Sequence, residues 1–148
     1  MIWKPHVTVA AIIPDERERF LMVEEISSGH VVMNQPAGHL EPDESLVDAA
    51  VRETLEETGW HFRPEAITGI YHWTSPADGE TFLRVCFVGP VTDHDSERPL
   101  DDGILRACWV SRNELRQASL RSPMVMRGID DFLQGRRYPL SLLSFLES

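Results

Sequence analysis

The sequence is short of positive charge: 14 Lys and Arg stand against 24 Asp and Glu, a formal net charge of −10. Binding to a nucleic acid backbone relies on clustered basic side chains, so a nucleic acid polymer is not the expected partner. Acidity does not exclude a small phosphorylated ligand, because a bound cation can supply the missing charge. Cysteine is also scarce. Cys86 and Cys108 stand alone, without a CxxC spacing. That argues against a disulfide framework or a zinc site, and a reducing, cytoplasmic setting is expected. Long apolar runs are missing too. The stretch "HVTVAAII" (6–13) is short, runs into Pro14 and "DERER", and lacks the basic start and cleavage site of a signal peptide. Nothing approaches the roughly 20 apolar residues of a membrane span, so no membrane partner is expected. There is no internal repeat, low-complexity tract or linker, and residues 1–148 are expected to form a single domain.

What is present reads as strands, a helix, strands, then helices. Residues 6–13 and 19–26 are β-branched or apolar runs joined by a charged turn. "HVVMNQPAGHL" begins as a short strand that Pro36 and Gly38 interrupt. Residues 66–73 and 81–91 read as a hairpin across the turn "SPADG". Residues 93–103 read as a polar loop, and 104–110 as a last strand. Ser111 with Glu114 three residues on is a capping box. Ser122 followed by Pro123 marks the start of a helix that ends near Gly135. This order predicts an α/β (α+β) sandwich with a mixed sheet between helices.

The segment 38–60, "GHLEPDESLVDAAVRETLEETGW", holds Glu41, Asp43, Glu44, Asp48, Glu53, Glu56 and Glu57 against a single Arg52 and no lysine. A helix over 44–58 is predicted, with Asp43 as N-cap and Gly59 as the residue that ends it. Glu53, Glu56 and Glu57 then lie at i, i+3 and i+4 on one face. Ala49 and Ala50 fall near that face, where a ligand could approach. Val47, Val51, Thr54, Leu55 and Thr58 fall on the other. Three carboxylates so close cost stability unless something neutralises them. Hard divalent cations take oxygen ligands and join carboxylates to substrate phosphates. The absent positive charge is therefore read as a metal.

In full the segment is G-x5-E-x7-R-E-T-x-E-E-x-G-W, running from Gly38 to Trp60. It resembles the signature of the Nudix (MutT-like) hydrolases. Thr54 is the one departure, at a position the family fills with a bulky apolar residue. The resemblance implies an α/β/α sandwich with a mixed sheet and a loop–helix–loop catalytic motif. It implies Mg2+ as cofactor, with Mn2+ as a substitute, held by Glu53, Glu56, Glu57 and the Gly38 carbonyl. Glu44 and Arg52 would hold the loop and orient those ligands. The implied reaction is attack of water on a diphosphate linkage. Glu53 is the first candidate for its base, and a late-loop carboxylate, Asp101 or Asp102, is the second.

"KPHVTVAAII", "NQPAGHLEPDESL", "LRSPMV" and "GRRYPL" further resemble the NudJ-type branch of the family. That branch comprises small phosphatases of nucleoside di- and triphosphates and of thiamin-pathway pyrophosphates, including thiamin diphosphate and its hydroxymethylpyrimidine pyrophosphate precursor. Two alternatives stand beside it. One is a Nudix pyrophosphohydrolase for ADP-ribose, oxidised nucleotides or dinucleoside polyphosphates. The other is a non-catalytic nucleotide-binding module. The chain is expected as a monomer or a homodimer.

Outside the motif, Tyr71 and Trp73 alternate on a strand and either pack in the core or stack on a substrate ring. Arg84 interrupts the run "FLRVCF" and either pairs with a carboxylate or holds a substrate phosphate. Arg121, before a helix start, is a candidate to reach the site. Asn34 and Gln35 are candidates to line the cleft. His39 reads as a solvated or supporting histidine, and His6 and His72 carry no signal. Trp3 and Trp109 are assigned to the core.

Overall fold

A computed structural model describes residues 1–148. Strand β1 (His6–Ile12) shows how the layers arise. Its side chains alternate across the sheet, as the two-residue period of a strand requires. Ala10 and Ile12 enter one core, and Val9 and Ala11 the other. Strand β2 (Arg19–Ser27) divides in the same way, with Phe20 and Met22 against Leu21. A strand with both faces buried reads as a continuous apolar run, which is why these segments stand out in the sequence.

Strands β3 (His30–Asn34) and β4 (Ala37–His39) precede helix α1 (Leu46–Thr58). Then follow β5 (His61–Phe62), β6 (Ala66–Thr74), β7 (Thr81–Val88), β8 (Val91–Thr92) and β9 (Ile104–Ser111). Helices α2 (Arg112–Arg116) and α3 (Pro123–Leu133) follow, and a short 3-10 turn spans Leu140–Leu142. One sheet has the order β4-β1-β7-β6, with β1 and β7 parallel and the other pairs antiparallel. A second has the order β3-β2-β9, and β5 pairs with β8. Helix α1 places Ala49 and Ala50 in one core, and α3 places Met124, Val125 and Ile129 in the other. The fold is the expected mixed-sheet α+β sandwich. No helix is long and apolar enough to cross a membrane.

Several local expectations are corrected. Helix α1 starts later than expected: its N-cap is Ser45, whose hydroxyl accepts from the Asp48 N–H at 3.0 Å. Asp43 cannot cap, because its φ of 62° is left-handed rather than extended. Gly59 ends the helix as expected, at φ 76°. Ala49 and Ala50 do not face a ligand; both are buried against the sheet. Gly38 does not end a strand but lies inside β4, opposite Val9. The run 81–91 splits at Gly89–Pro90, since Pro90 has no N–H to extend the ladder. Trp3 is exposed rather than in the core, whereas Trp109 packs against Trp60. The capping box of Ser111 and Glu114, the Ser122 cap with Pro123, and the β6–β7 hairpin form as read.

Candidate active site

Thr8 lies two residues before Ala10 and so shares its face of the sheet, the face that α3 covers. Arg84 shares that face with Cys86. Register aligns His39, Thr8, Arg84 and Tyr71 across β4, β1, β7 and β6, and a second row aligns His6, Phe82 and Trp73. The α3 core stops at the first row. Beyond it a pocket of about 360 Å³ opens. Gly38, Glu53 and Glu57 reach it from β4 and α1. Arg84, Asn34, Glu25 and Arg121 come from β7, β3, β2 and the segment before α3. Trp73, Phe82 and His39 also line it.

Helix α1 organises the acidic part around Arg52. Its Nε donates to Glu44 Oε2 at 2.6 Å, and its Nη1 donates to Glu53 Oε1 at 2.7 Å and Glu56 Oε1 at 2.9 Å. Its Nη2 donates to the His39 carbonyl at 3.0 Å, which ties the helix to the end of β4. Hydrogen bonding to Arg52 holds Glu44 below the usual carboxylate range, and the same bonds, Glu44 foremost, raise Arg52. A Cβ at Gly38 would overlap the Glu53 carboxyl group and displace it from its present position.

Glu57 differs from its neighbours. It is 7% exposed, accepts the Ala37 N–H at 2.9 Å, and has no cationic partner. Burial, with Glu53, Glu25 and Asp101 nearby, pushes its pKa up to about 9. Burial raises Glu53 as well. No three His, Cys, Asp or Glu side chains converge in metal-binding geometry in this structure. Glu53 and Glu56 turn to Arg52 instead. The donors nevertheless suit a hard divalent ion. A nearly buried carboxylate with one hydrogen bond either keeps a proton or takes a cation, and the carboxylates with the Gly38 carbonyl offer oxygen.

Arg84 is buried at 4% exposure, and burial depresses its pKa. Its Nη1 donates to Gln35 Oε1 at 3.1 Å and its Nη2 to Asn34 Oδ1 at 2.9 Å. Both partners are neutral amides. Its Nε is the one buried side-chain nitrogen or oxygen without a hydrogen-bond partner. Glu25 accepts from Asn34 Nδ2 at 3.2 Å and lies 3.6 Å from Arg121 Nε.

The remaining candidates separate by position. Trp73 and Arg121 line the pocket. Tyr71 does not: its hydroxyl donates to Asp131 on α3 at 2.7 Å, so it points under the helix. Gln35 also lies outside the lining, with its Nε2 donating to the Val125 carbonyl at 2.8 Å and its oxygen bracing Arg84. Asp101 sits beside α1 through its N–H to the Glu56 carbonyl at 3.0 Å, and burial raises its pKa, but its side chain is not part of the lining. Asp102 is not brought to the pocket either. Sequence reading passed over Glu25, Thr8, Phe82 and Met124, which do line it. Glu25 sits on a strand where "VEEI" gives no sign of which glutamate faces inward.

The match to the NUDIX domain family spans residues 4–128, and the chain belongs to that family. It is a hydrolase of phosphoanhydride bonds. It is 44% identical over 143 residues to phosphatase NudJ of Escherichia coli K12, covering 96% of this chain and 92% of that protein. A NUDIX hydrolase of Nitrosomonas europaea is 51% identical, with a TM-score of 0.94 over 97% of this chain and 98% of its own. The NUDIX domain of Shewanella oneidensis NrtR, solved with ADP-ribose, shares the fold at 15% identity and a TM-score of 0.75, with 90% of each chain covered.

Proposed function

We propose that the chain is a Mg2+-dependent phosphatase of nucleoside di- and triphosphates. Mn2+ substitutes for the metal, and thiamin diphosphate and hydroxymethylpyrimidine pyrophosphate are further substrates. The likeness to phosphatase NudJ along almost the whole chain supports a phosphatase. The observation that carries the reading is the division of charge in one pocket. Glu53 and Glu57 enter it from α1, and Arg84 and Arg121 from β7 and the segment before α3, with Glu25 beside Arg121. A phosphorylated substrate needs cationic contacts for its oxygens, and an acidic site meets those oxygens only through a metal.

Glu53, Glu56, Glu57 and the Gly38 carbonyl would hold the metal. When bound, it neutralises charge on the phosphate oxygens and acidifies a water. Arg84, which lines the pocket without a carboxylate partner, offers a positive contact to a phosphate oxygen, and Arg121 adds a second. Glu53 removes the proton of the attacking water. It lines the pocket, whereas Asp101 and Asp102 do not. Water attacks a phosphorus of the anhydride, its P–O bond to the bridging oxygen breaks, and the remaining phosphate leaves. Glu44 and Arg52 keep the β4–α1 connection in place during turnover.

Release of orthophosphate and pyrophosphate, with Mg2+ and after EDTA, tests this reading. The substrates are nucleoside di- and triphosphates, thiamin diphosphate, ADP-ribose and a dinucleoside tetraphosphate. Metal-dependent orthophosphate from the first three, lost in Glu57→Gln, is the expected result. Turnover of ADP-ribose or the dinucleotide alone would replace the substrate assignment. Nucleotide binding without any release would make the chain a binding module.

A further inference from the structure

A buried guanidinium is ordinarily paired with a carboxylate. Arg84 is held by two uncharged amides instead, Gln35 on Nη1 and Asn34 on Nη2. Each amide is also fixed at its far end. Gln35 Nε2 donates to the Val125 carbonyl in the first turn of α3, and Asn34 Nδ2 donates to Glu25 on β2. Arginine only donates, and a carbonyl or carboxylate only accepts. The direction of every bond in this chain is therefore set by chemistry. Neither amide can be turned round without two donors or two acceptors meeting.

An amide does here what neither an acid nor a hydrophobe could. A carboxylate at position 34 or 35 would accept from the same nitrogen and cancel the charge, as Glu44 does for Arg52. An apolar side chain would leave that nitrogen without its acceptor. The amides fix the guanidinium through both terminal nitrogens and leave its positive charge uncancelled. That arrangement is costly in the empty protein, since burial disfavours the charged form of Arg84. An anion in the pocket would offset the cost. Asn34 lines the pocket, as Arg84 does. Gln35 is 1% exposed and outside the lining, so it reaches a ligand through Arg84 rather than by contact.

We propose that Gln35 and Asn34 are positioning residues for phosphate binding: they hold the Arg84 guanidinium in the pocket wall and, being uncharged, leave its charge to the substrate. The proposal rests on the reading of Arg84 as a phosphate contact and adds how that contact is kept in place and kept cationic. Through Gln35 and the Val125 carbonyl, the first turn of α3 takes part in it. Through Asn34, so does Glu25, which also lies 3.6 Å from Arg121 Nε.

The test is calorimetric titration with the α,β-methylene analogue of ADP in the presence of Mg2+. A CH2 group replaces its bridging oxygen, so binding is read without turnover. Gln35→Met removes the acceptor at similar volume and should weaken binding about ten-fold. Gln35→Glu keeps the acceptor but pairs Arg84 with a carboxylate, and should also weaken binding about ten-fold. Arg84→Met should bind more weakly than the native protein, and adding Gln35→Met to it should cost nothing further, because Gln35 acts through Arg84. A merely structural Gln35 would instead lower the urea midpoint with affinity unchanged, or add the same loss with and without Arg84. Either result overturns the proposal, as does native affinity in Gln35→Glu, which decides alone should Gln35→Met not fold. Absence of binding by the native protein overturns it too. Native affinity in Arg84→Met overturns it together with the phosphate contact of Arg84, whereas a loss in Arg84→Met with none in the Gln35 variants overturns the positioning role alone. Phosphate release from ADP, measured in parallel, judges the hydrolase reading separately.

Discussion

Arg52 and Arg84 serve the same pocket under opposite conditions. Arg52 lies within 4 Å of Glu41, Glu44, Glu53 and Glu56. Arg84 is more deeply buried, hydrogen bonds to two neutral amides, and leaves its Nε without a partner. The carboxylates divide in the same way: Glu44 is satisfied by Arg52, while nearly buried Glu57 has one backbone N–H. Where charge is balanced, as between Arg52 and Glu44, it holds the fold. Where it is left unbalanced in a cavity, it is available to a ligand. A metal and a phosphate would supply the two missing partners together.

The largest effect expected from this contrast is on turnover. Glu57→Gln should lower kcat by about 10³-fold, the scale of several kcal/mol of lost transition-state stabilisation. Metal-dependent phosphate release measures it, and a fall of less than ten-fold would remove Glu57 from the machinery. The two arginines should then differ in stability. Arg52→Met strands Glu44, Glu53 and Glu56, and should cost about 3 kcal/mol of unfolding free energy in urea. Arg84→Met removes an unbalanced buried charge and should change stability by no more than about 1 kcal/mol, because the lost charge burial offsets the two lost amide bonds. Its kcat/KM should nevertheless fall about 10²-fold. Reversed stability effects would break the comparison.

A smaller effect concerns pH. Without metal, Glu57 keeps its proton up to about 9, while the unfolded chain releases it near the ordinary glutamate value. The folded state therefore binds the extra proton between those limits, and metal-free stability should decline as pH rises through that window. Glu57→Gln should flatten the decline in urea titrations across pH. Mg2+ should stabilise the native protein more at pH 8 than at pH 6, because it replaces that proton. The smallest effect is at Thr54, fully buried, whose hydroxyl bonds back to the Ala50 carbonyl at 2.8 Å. Thr54→Val should shift stability by about 1 kcal/mol or less and leave phosphate release unchanged.

The legible part of the site was the part built on local spacing. One helix carries Glu53, Glu56 and Glu57, so their common neighbourhood follows from 3.6 residues per turn. The faces were harder. The sequence pattern set Ala49 and Ala50 on the glutamate side; the sheet instead buries both, and Glu57 turns inward with them. Tyr71 and Trp73 alternate identically on one strand and share a face, yet α3 covers Tyr71 and stops short of Trp73. Nothing local distinguishes the two. Glu25 was missed because adjacent glutamates on a strand differ only in which face the sheet assigns them.

By itself the sequence determined the strand and helix order, the motif from Gly38 to Trp60, its family and the acidic charge that calls for a cation. Those properties depend on residue type and short-range period, which the chain carries wherever it folds. The tertiary structure decided which charges find partners. Arg84 became a buried guanidinium with an unused nitrogen only when β7 was laid beside β1 and α3 closed over one end of the sheet. Glu80 met His6, and His6 met His39, through strand pairing that spans 74 and 33 residues of chain. Such contacts arise from long-range packing, and no local spacing encodes them.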